Sequence, residues 1–110
     1  MFEYRALCTK VYDGDTITVD IDLGLNSWLK DQKLRLVGID TPEMRGLEKP
    51  EGTKVRDWLR EQILGKPVII KTHKSRNKGK YGRWLCTVYI DGRDLNAEML
   101  ASGMAKPYGK

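Results

Sequence analysis

Three acids, Asp15, Asp40 and Glu43, and two arginines, Arg35 and Arg83, are the side chains of this 110-residue chain whose types and spacing suit chemistry. Asp15 belongs to the run Asp13-Gly14-Asp15-Thr16 and sits at the mouth of an alternating stretch, where a carboxylate gains little for folding. Asp40 and Glu43 frame Asp40-Thr41-Pro42-Glu43. Pro42 fixes its own φ and biases Thr41 toward an extended shape, which holds the two acids in a defined relation. Carboxylates with a free backbone carbonyl are the ligand set of a hard cation such as Ca²⁺. A planar guanidinium can grip two phosphate oxygens at once, which lysine cannot do. Attack on a phosphodiester asks for a cation on the phosphate oxygens, a carboxylate to orient or deprotonate water, and further positive groups for the transition state. These five residues can supply all three. Each also has a plain structural reading: an Asp-Gly turn, an Asp-capped proline turn, a surface arginine on a strand, the flank of a hairpin. No nucleophilic triad competes, because the single histidine, His73, has no evident partner, and one histidine without C-x-x-C argues against a zinc site.

The net charge of +5 is concentrated. Residues 71–83, KTHKSRNKGKYGR, carry Lys71, Lys74, Arg76, Lys78, Lys80 and Arg83 and no acid, which leaves the remainder of the chain close to neutral. Such a segment attracts a polyanion, nucleic acid first among the candidates, unless it is only a solvated loop. With 40% hydrophobic and 32% charged residues the chain is neither disordered nor membranous by composition. No apolar run is long enough to span a bilayer. The start, MFEYRALCTK, lacks the apolar core of a secretory signal, so a cytoplasmic protein is expected, of phage or mobile-element origin or a processed fragment among the possibilities. Cys8 and Cys86 are too few for a disulfide framework and are expected as buried, reduced thiols.

The elements that must position these groups follow from periodicity. Residues 16–23 alternate: Ile17, Val19, Ile21 and Leu23 share one face, Thr16, Thr18, Asp20 and Asp22 the other, a half-buried strand. A strand over about residues 4–12 precedes it, joined through Asp13-Gly14. A third strand is predicted over about residues 32–39, with Leu34 and Leu36 on one face and Arg35, Val37 and Ile39 on the other. Between residues 51 and 64, Val55, Trp58, Leu59 and Ile63 fall at helical spacing, with Pro50 at the entry and Gly65 at the exit. Strands from Val68 and over residues 84–90, then a helix over about residues 96–102, complete the order β-β-β-α-β-β-α. Trp58 is read as core, and so is Trp84, with a base-stacking platform as its alternative. Short strands with a helix after the third predict a mainly β fold: a five-stranded OB barrel with two helices, one domain over residues 1–110.

The motifs VYDGDTITV, LRLVGIDTPE and KYGRWL, followed by DGRDLNAEMLASGMAK, resemble the staphylococcal nuclease family. The resemblance runs from about Val11 to Lys106 and implies the same barrel. It also implies Ca²⁺-dependent hydrolysis of DNA and RNA at the 5′ P–O bond, leaving 3′-phosphates. Residue by residue, it makes Asp15 and Asp40 the carboxylate ligands of calcium and Thr41 the carbonyl ligand. Glu43 becomes the general base, and Arg35 and Arg83 the arginines that grip the phosphate. Lys80 and Tyr81 match nucleotide contacts, and Asp13 looks like a carboxylate behind the metal. Tyr108 stands one residue out of register with a nucleotide-facing tyrosine of the family. The segment Arg45 to Glu51 is shorter than in the best-known members, and the family's third, C-terminal helix is lacking.

A rival reading is an OB-type module that binds nucleic acid or docks protein without cutting. Three acids around one cleft argue against it, since their repulsion costs stability without a cation. The implied partners are DNA and RNA, single-stranded or denatured by preference, with no membrane; a monomer is expected, a dimer left open.

Overall fold

The computed structural model describes residues 2–73 and 84–108. Three antiparallel strands come first: β1 (Glu3–Asp13), β2 (Thr16–Gly24) and β3 (Ser27–Leu36). A short strand β4 (Ile39–Asp40), helix α1 (Lys49–Ile63), β5 (Pro67–His73), β6 (Trp84–Ile90), β7 (Arg93–Asp94), helix α2 (Leu95–Ser102) and β8 (Lys106–Pro107) follow. The hydrogen-bonded order is β3-β2-β1-β5-β6, and β3 also pairs with β6, which closes five strands into a barrel. The closing pair is parallel, with Leu34 opposite Trp84, Arg35 opposite Leu85 and Leu36 opposite Cys86. The predicted OB-like architecture is the one found.

The alternating residues of β2 explain the inside of the barrel. Ile17, Val19 and Ile21 are buried with Cys8, Leu34, Leu36, Ile70 and Val88, while Leu23 at the strand's end is 52% exposed. Helix α1 turns Val55, Leu59 and Ile63 onto the same core, with Trp58 packed at its edge. Its Arg60 reaches across to β1, donating from Nε and Nη2 to the Val11 carbonyl at 3.2 and 3.1 Å. Helix α2 starts where the Asp94 side chain accepts from the Ala97 N–H (2.9 Å), and it stops at Gly103, φ +84°. Its buried Asn96 ties the barrel seam together: the amide nitrogen donates to the carbonyls of Val37 and Cys86, and Oδ1 accepts from the Val88 N–H. Such a satisfied buried amide fixes one arrangement of the strands it joins.

The structure changes two expectations and adds a turn that the sequence does not mark. The third strand begins at Ser27 and ends at Leu36; Gly38, at φ +80°, turns the chain so that Ile39 drops into the core instead of sharing a face with Arg35. The β2–β3 hairpin closes on Leu25 and Asn26, both at positive φ (55° and 62°), a turn that leucine does not announce in a sequence. Trp84 is 42% exposed, because it is the first residue of β6 and stands on the barrel rim. Cys8 and Cys86 are buried and free as expected; burial pushes the Cys8 thiol up to about 11 and the Cys86 thiol up as well, so both stay protonated at neutral pH. Among the described residues no helix is long and apolar enough to cross a membrane.

Candidate functional site

The turn between β1 and β2 positions Asp15. The Asp13 side chain accepts the Asp15 N–H at 3.0 Å, a local bond that fixes an Asx-type turn. The Asp15 carbonyl in turn accepts from the Leu36 N–H at 2.9 Å, which anchors the turn to β3. Gly14 is buried between this turn and its neighbours: a Cβ there would stand 2.6 Å from Val55 and 2.8 Å from Thr41. The lack of a side chain lets the Asp13–Thr16 turn, the Thr41 turn and α1 meet.

Arg35 stands at the meeting point. Thr16 pairs with it across β2 and β3, which brings the residue after Asp15 opposite the guanidinium's strand. Its Nη1 donates to the carbonyls of Leu36 and Ile39, each at 3.1 Å. Its Nη2 lies 3.4 Å from Asp15 Oδ2 and 4.0 Å from Asp40 Oδ1. The Tyr108 ring covers the guanidinium face, 4.7 Å from its central carbon. Tyr108 is placed there by β8, which pairs with β4, and by its own N–H donating to the Gly38 carbonyl at 3.0 Å. Two carbonyls, two acids and a ring thus hold one side chain in a single pose. Nη1 is spent on the carbonyls, and the Nη2 edge, with its longer contacts, is the one left for an anionic ligand.

Asp15 is buried, yet its carboxylate contacts are long: 3.4 Å to Arg35, 3.3 Å to the Thr41 N–H and 3.3 Å to the Thr16 hydroxyl. Charge-assisted bonds are usually ~2.7–2.9 Å, so this carboxylate is only loosely satisfied and has room for a further ligand. Burial, then the neighbouring Asp15, pushes Asp13 up from 3.8 to about 6. Folded Asp13 therefore holds its proton more tightly than the unfolded chain does. Its contribution to stability is complete below about pH 4 and is lost as pH rises toward 6. Asp13→Asn keeps an oxygen for the Asp15 N–H and removes the charge. It is expected to raise the melting temperature at pH 7.5 by on the order of 4 °C, after discounting for solvent near the group, and to leave it unchanged near pH 4. Melting curves at the two pH values check this; an equal shift at both would assign the effect to packing.

Thr41 is buried beside Asp15, and Asp40 is exposed at the end of β4. Glu43 is exposed, three residues beyond Asp40. Its N–H donates to Glu48 Oε1 at 2.8 Å, which pins the backbone after Pro42. The structure thus draws Asp13, Asp15, Arg35, Asp40 and Thr41 together and leaves the Glu43 carboxylate facing solvent. Among the described residues no three His, Cys, Asp or Glu side chains form a group able to hold a metal by themselves. Lys80, Tyr81 and Arg83 lie outside the described residues.

Two residues important to this arrangement escaped the motif reading. Glu48 was passed over as part of a loop. Gly52 was passed over as one residue of a helical pattern, although a glycine inside a helix is itself a sign of close packing. Gly52 is buried, and a Cβ there would overlap the Glu43 carbonyl oxygen and stand 2.9 Å from that of Pro42. On an exposed helix Gly→Ala stabilises by ~1 kcal/mol; here the obstacle is backbone, and Gly52→Ala is expected to destabilise by ~1–3 kcal/mol instead. Denaturant titration reads the sign; a more stable variant would mean that α1 and the Pro42–Glu43 turn are not in contact.

The comparisons agree with the geometry. The sequence matches the family described as Staphylococcal nuclease homologue over residues 33–110. It is 32% identical to the Thermonuclease of Staphylococcus hyicus over 100 residues, covering 88% of this chain and 55% of the relative. It is 32% identical over 129 residues to an uncharacterized protein of Methanocaldococcus jannaschii, covering 96% of this chain and 59% of the relative. A Bacillus subtilis endonuclease is 29% identical over 100 residues, covering 88% and 44%. The chain thus spans about half the length of the curated relatives it matches. With a closed five-stranded barrel, the Asp-Gly-Asp-Thr and Asp-Thr-Pro-Glu turns packed together, and a family match over most of its length, the chain belongs to the staphylococcal nuclease homologue family.

Proposed function

We propose that this chain is a nuclease that hydrolyses DNA and RNA at the 5′ P–O bond, with Ca²⁺ held by Asp15, Asp40 and the Thr41 carbonyl. The observation that supports this most is the convergence of Asp15 and Asp40, from two separate turns, on one guanidinium nitrogen of Arg35. The donor set suits a hard cation: carboxylate and carbonyl oxygens, a buried Asp15 whose contacts to Arg35, Thr41 and Thr16 are long, and an adjacent Asp13 that resists ionising. Bound there, the ion would neutralise charge on a phosphate oxygen and lower the barrier to attack. Two relatives are named as nucleases, Thermonuclease and an endonuclease.

The chain's own residues divide the remaining work. Arg35 offers its Nη2 edge to a phosphate oxygen while its Nη1 bonds keep the group from swinging. Arg83 supplies a second guanidinium, and the two together suit the spread charge of a pentavalent phosphorus. Glu43, exposed and on a pinned turn, takes the proton of the attacking water. Lys80 and Tyr81 contact the nucleotide, and the six cations of residues 71–83 attract the strand from a distance.

The rival module that binds without cutting draws on the lack, among the described residues, of a three-membered acid or histidine group. Digestion of heat-denatured DNA separates the two. The nuclease reading expects cleavage with Ca²⁺, none with EGTA and little with Mg²⁺ alone. Salt-sensitive binding with no cleavage under any of the three conditions would establish the rival.

A further inference from the structure

A second feature of the barrel has no part in the site above. A cavity of about 510 Å³ opens among the starts of β1 and β6, the ends of β2 and β5, and the middle of β3. Its volume is that of a small-ligand site. Three aromatic rings line it: Phe2, 67% exposed, Trp84, 42% exposed, and the half-buried Tyr4. Gln32, Thr72 and His73 add an amide, a hydroxyl and an imidazole to the wall. None of Asp15, Arg35, Asp40, Thr41 or Glu43 is among its lining residues.

Planar ligands stack on such rings, and an amide with a hydroxyl and an imidazole can meet the edge of a heterocycle. The charge supplies the rest of the description. Residues 74–83, with five cations and no acid, connect His73 to Trp84, both in the cavity wall, so much of the chain's positive charge is joined in sequence to this rim at both ends. A ligand that is both planar and attached to a polyanion is a base on a phosphate backbone. The β3 residues in the wall, Leu29, Gln32 and Leu34, precede Arg35 by six, three and one residues, ~3–20 Å along the strand. At ~3.4 Å per nucleotide of a stacked strand that is within reach of a few nucleotides.

We propose that this cavity receives an unpaired base of a single-stranded nucleic acid, a few nucleotides from the phosphate held at Arg35. A base inside a duplex is paired and stacked and cannot enter, so the cavity would make the protein prefer single strands. The assignment rests on the nuclease reading for the identity of the phosphate site, and its test is made without cleavage.

With EGTA present, fluorescence anisotropy of the full chain is measured against three labelled probes: a short oligothymidylate, the same backbone carrying abasic positions, and a duplex of equal length. Wild type is expected to bind the oligothymidylate about tenfold more tightly than the abasic strand, and Trp84→Leu and Phe2→Ala are expected to close most of that gap. Equal affinity of wild type for the two single strands overturns the proposal. So does an undiminished gap in both variants when their melting curves match wild type. If Trp84→Leu does not fold, Phe2→Ala, an exposed ring near the chain start, decides alone. Concentration-dependent dimerisation lost in these variants, with nucleic-acid affinity unchanged, would assign the cavity to a contact between copies and also overturn it. Cleavage with Ca²⁺ is scored separately. Base-dependent binding without cleavage rejects the nuclease reading and upholds the cavity, whereas cleavage without base dependence does the reverse.

Discussion

Glu43→Gln is expected to lower the turnover number by about 10²–10⁴-fold and to leave substrate binding within a few-fold of wild type. The two side chains have nearly the same shape, so the substitution changes what the group can accept and little else. An amide cannot take a proton from water, and the loss therefore falls on the chemical step. The structure sharpens this expectation because the Glu43 backbone is held independently of its carboxylate. Its N–H is bonded to Glu48, and its carbonyl rests against Gly52. Neither contact involves the atoms that the variant alters, so a fall in activity cannot be blamed on a collapsed turn. Steady-state kinetics on denatured DNA, with binding measured in EGTA, separates the two quantities. An intact turnover number would remove Glu43 from the role of base.

Arg35→Lys should be nearly as damaging, with a loss of about 10²–10³-fold in turnover, although the charge is kept. The guanidinium bonds two carbonyls through Nη1 while Nη2 faces both acids, and Tyr108 covers its face. One ammonium cannot reproduce that fork. Leu36 and Ile39 are buried residues, and leaving their carbonyls without a donor costs on the order of 1–3 kcal/mol. The variant should therefore lose both activity and melting temperature. A comparison with Tyr108→Leu is informative, because that variant removes the ring and leaves the four polar contacts. It should keep the stability of the carbonyl bonds and show a smaller loss in turnover. Near-normal kinetics in Arg35→Lys would mean that the fixed Nη2 donor plays no part in the transition state.

The barrel was legible because its signals are local. Alternation from Ile17 to Ile21 and the helical spacing of Val55, Leu59 and Ile63 each report on a few neighbouring residues and are found where expected, whereas the first hairpin turns on Gly14-Asp15, one residue past the expected Asp13-Gly14. The third strand was misjudged at both ends for the same reason. Its beginning depends on a hairpin through Leu25 and Asn26 whose backbone sign no propensity reveals, and its end on a turn at Gly38 that sends Ile39 inward. Trp84 was read as core because a tryptophan at the start of an apolar strand usually is. Its exposure depends on where the rim of the closed barrel falls, which is a property of the whole sheet.

The candidate site divides along the same line. The residue types and motifs by themselves pointed to Asp15, Arg35, Asp40 and Glu43 as candidates, and the family resemblance added Asp13 and Thr41, because side-chain chemistry and short motifs are written in consecutive letters. Only the tertiary structure decided that Asp15 and Asp40 meet on one nitrogen of Arg35, that Gly14 and Gly52 let a helix and two turns approach closely, and that Tyr108 folds back over the guanidinium. These contacts join residues from 5 to 73 positions apart in the chain, and their distances are set by barrel closure and helix packing. No pattern within a single segment encodes that.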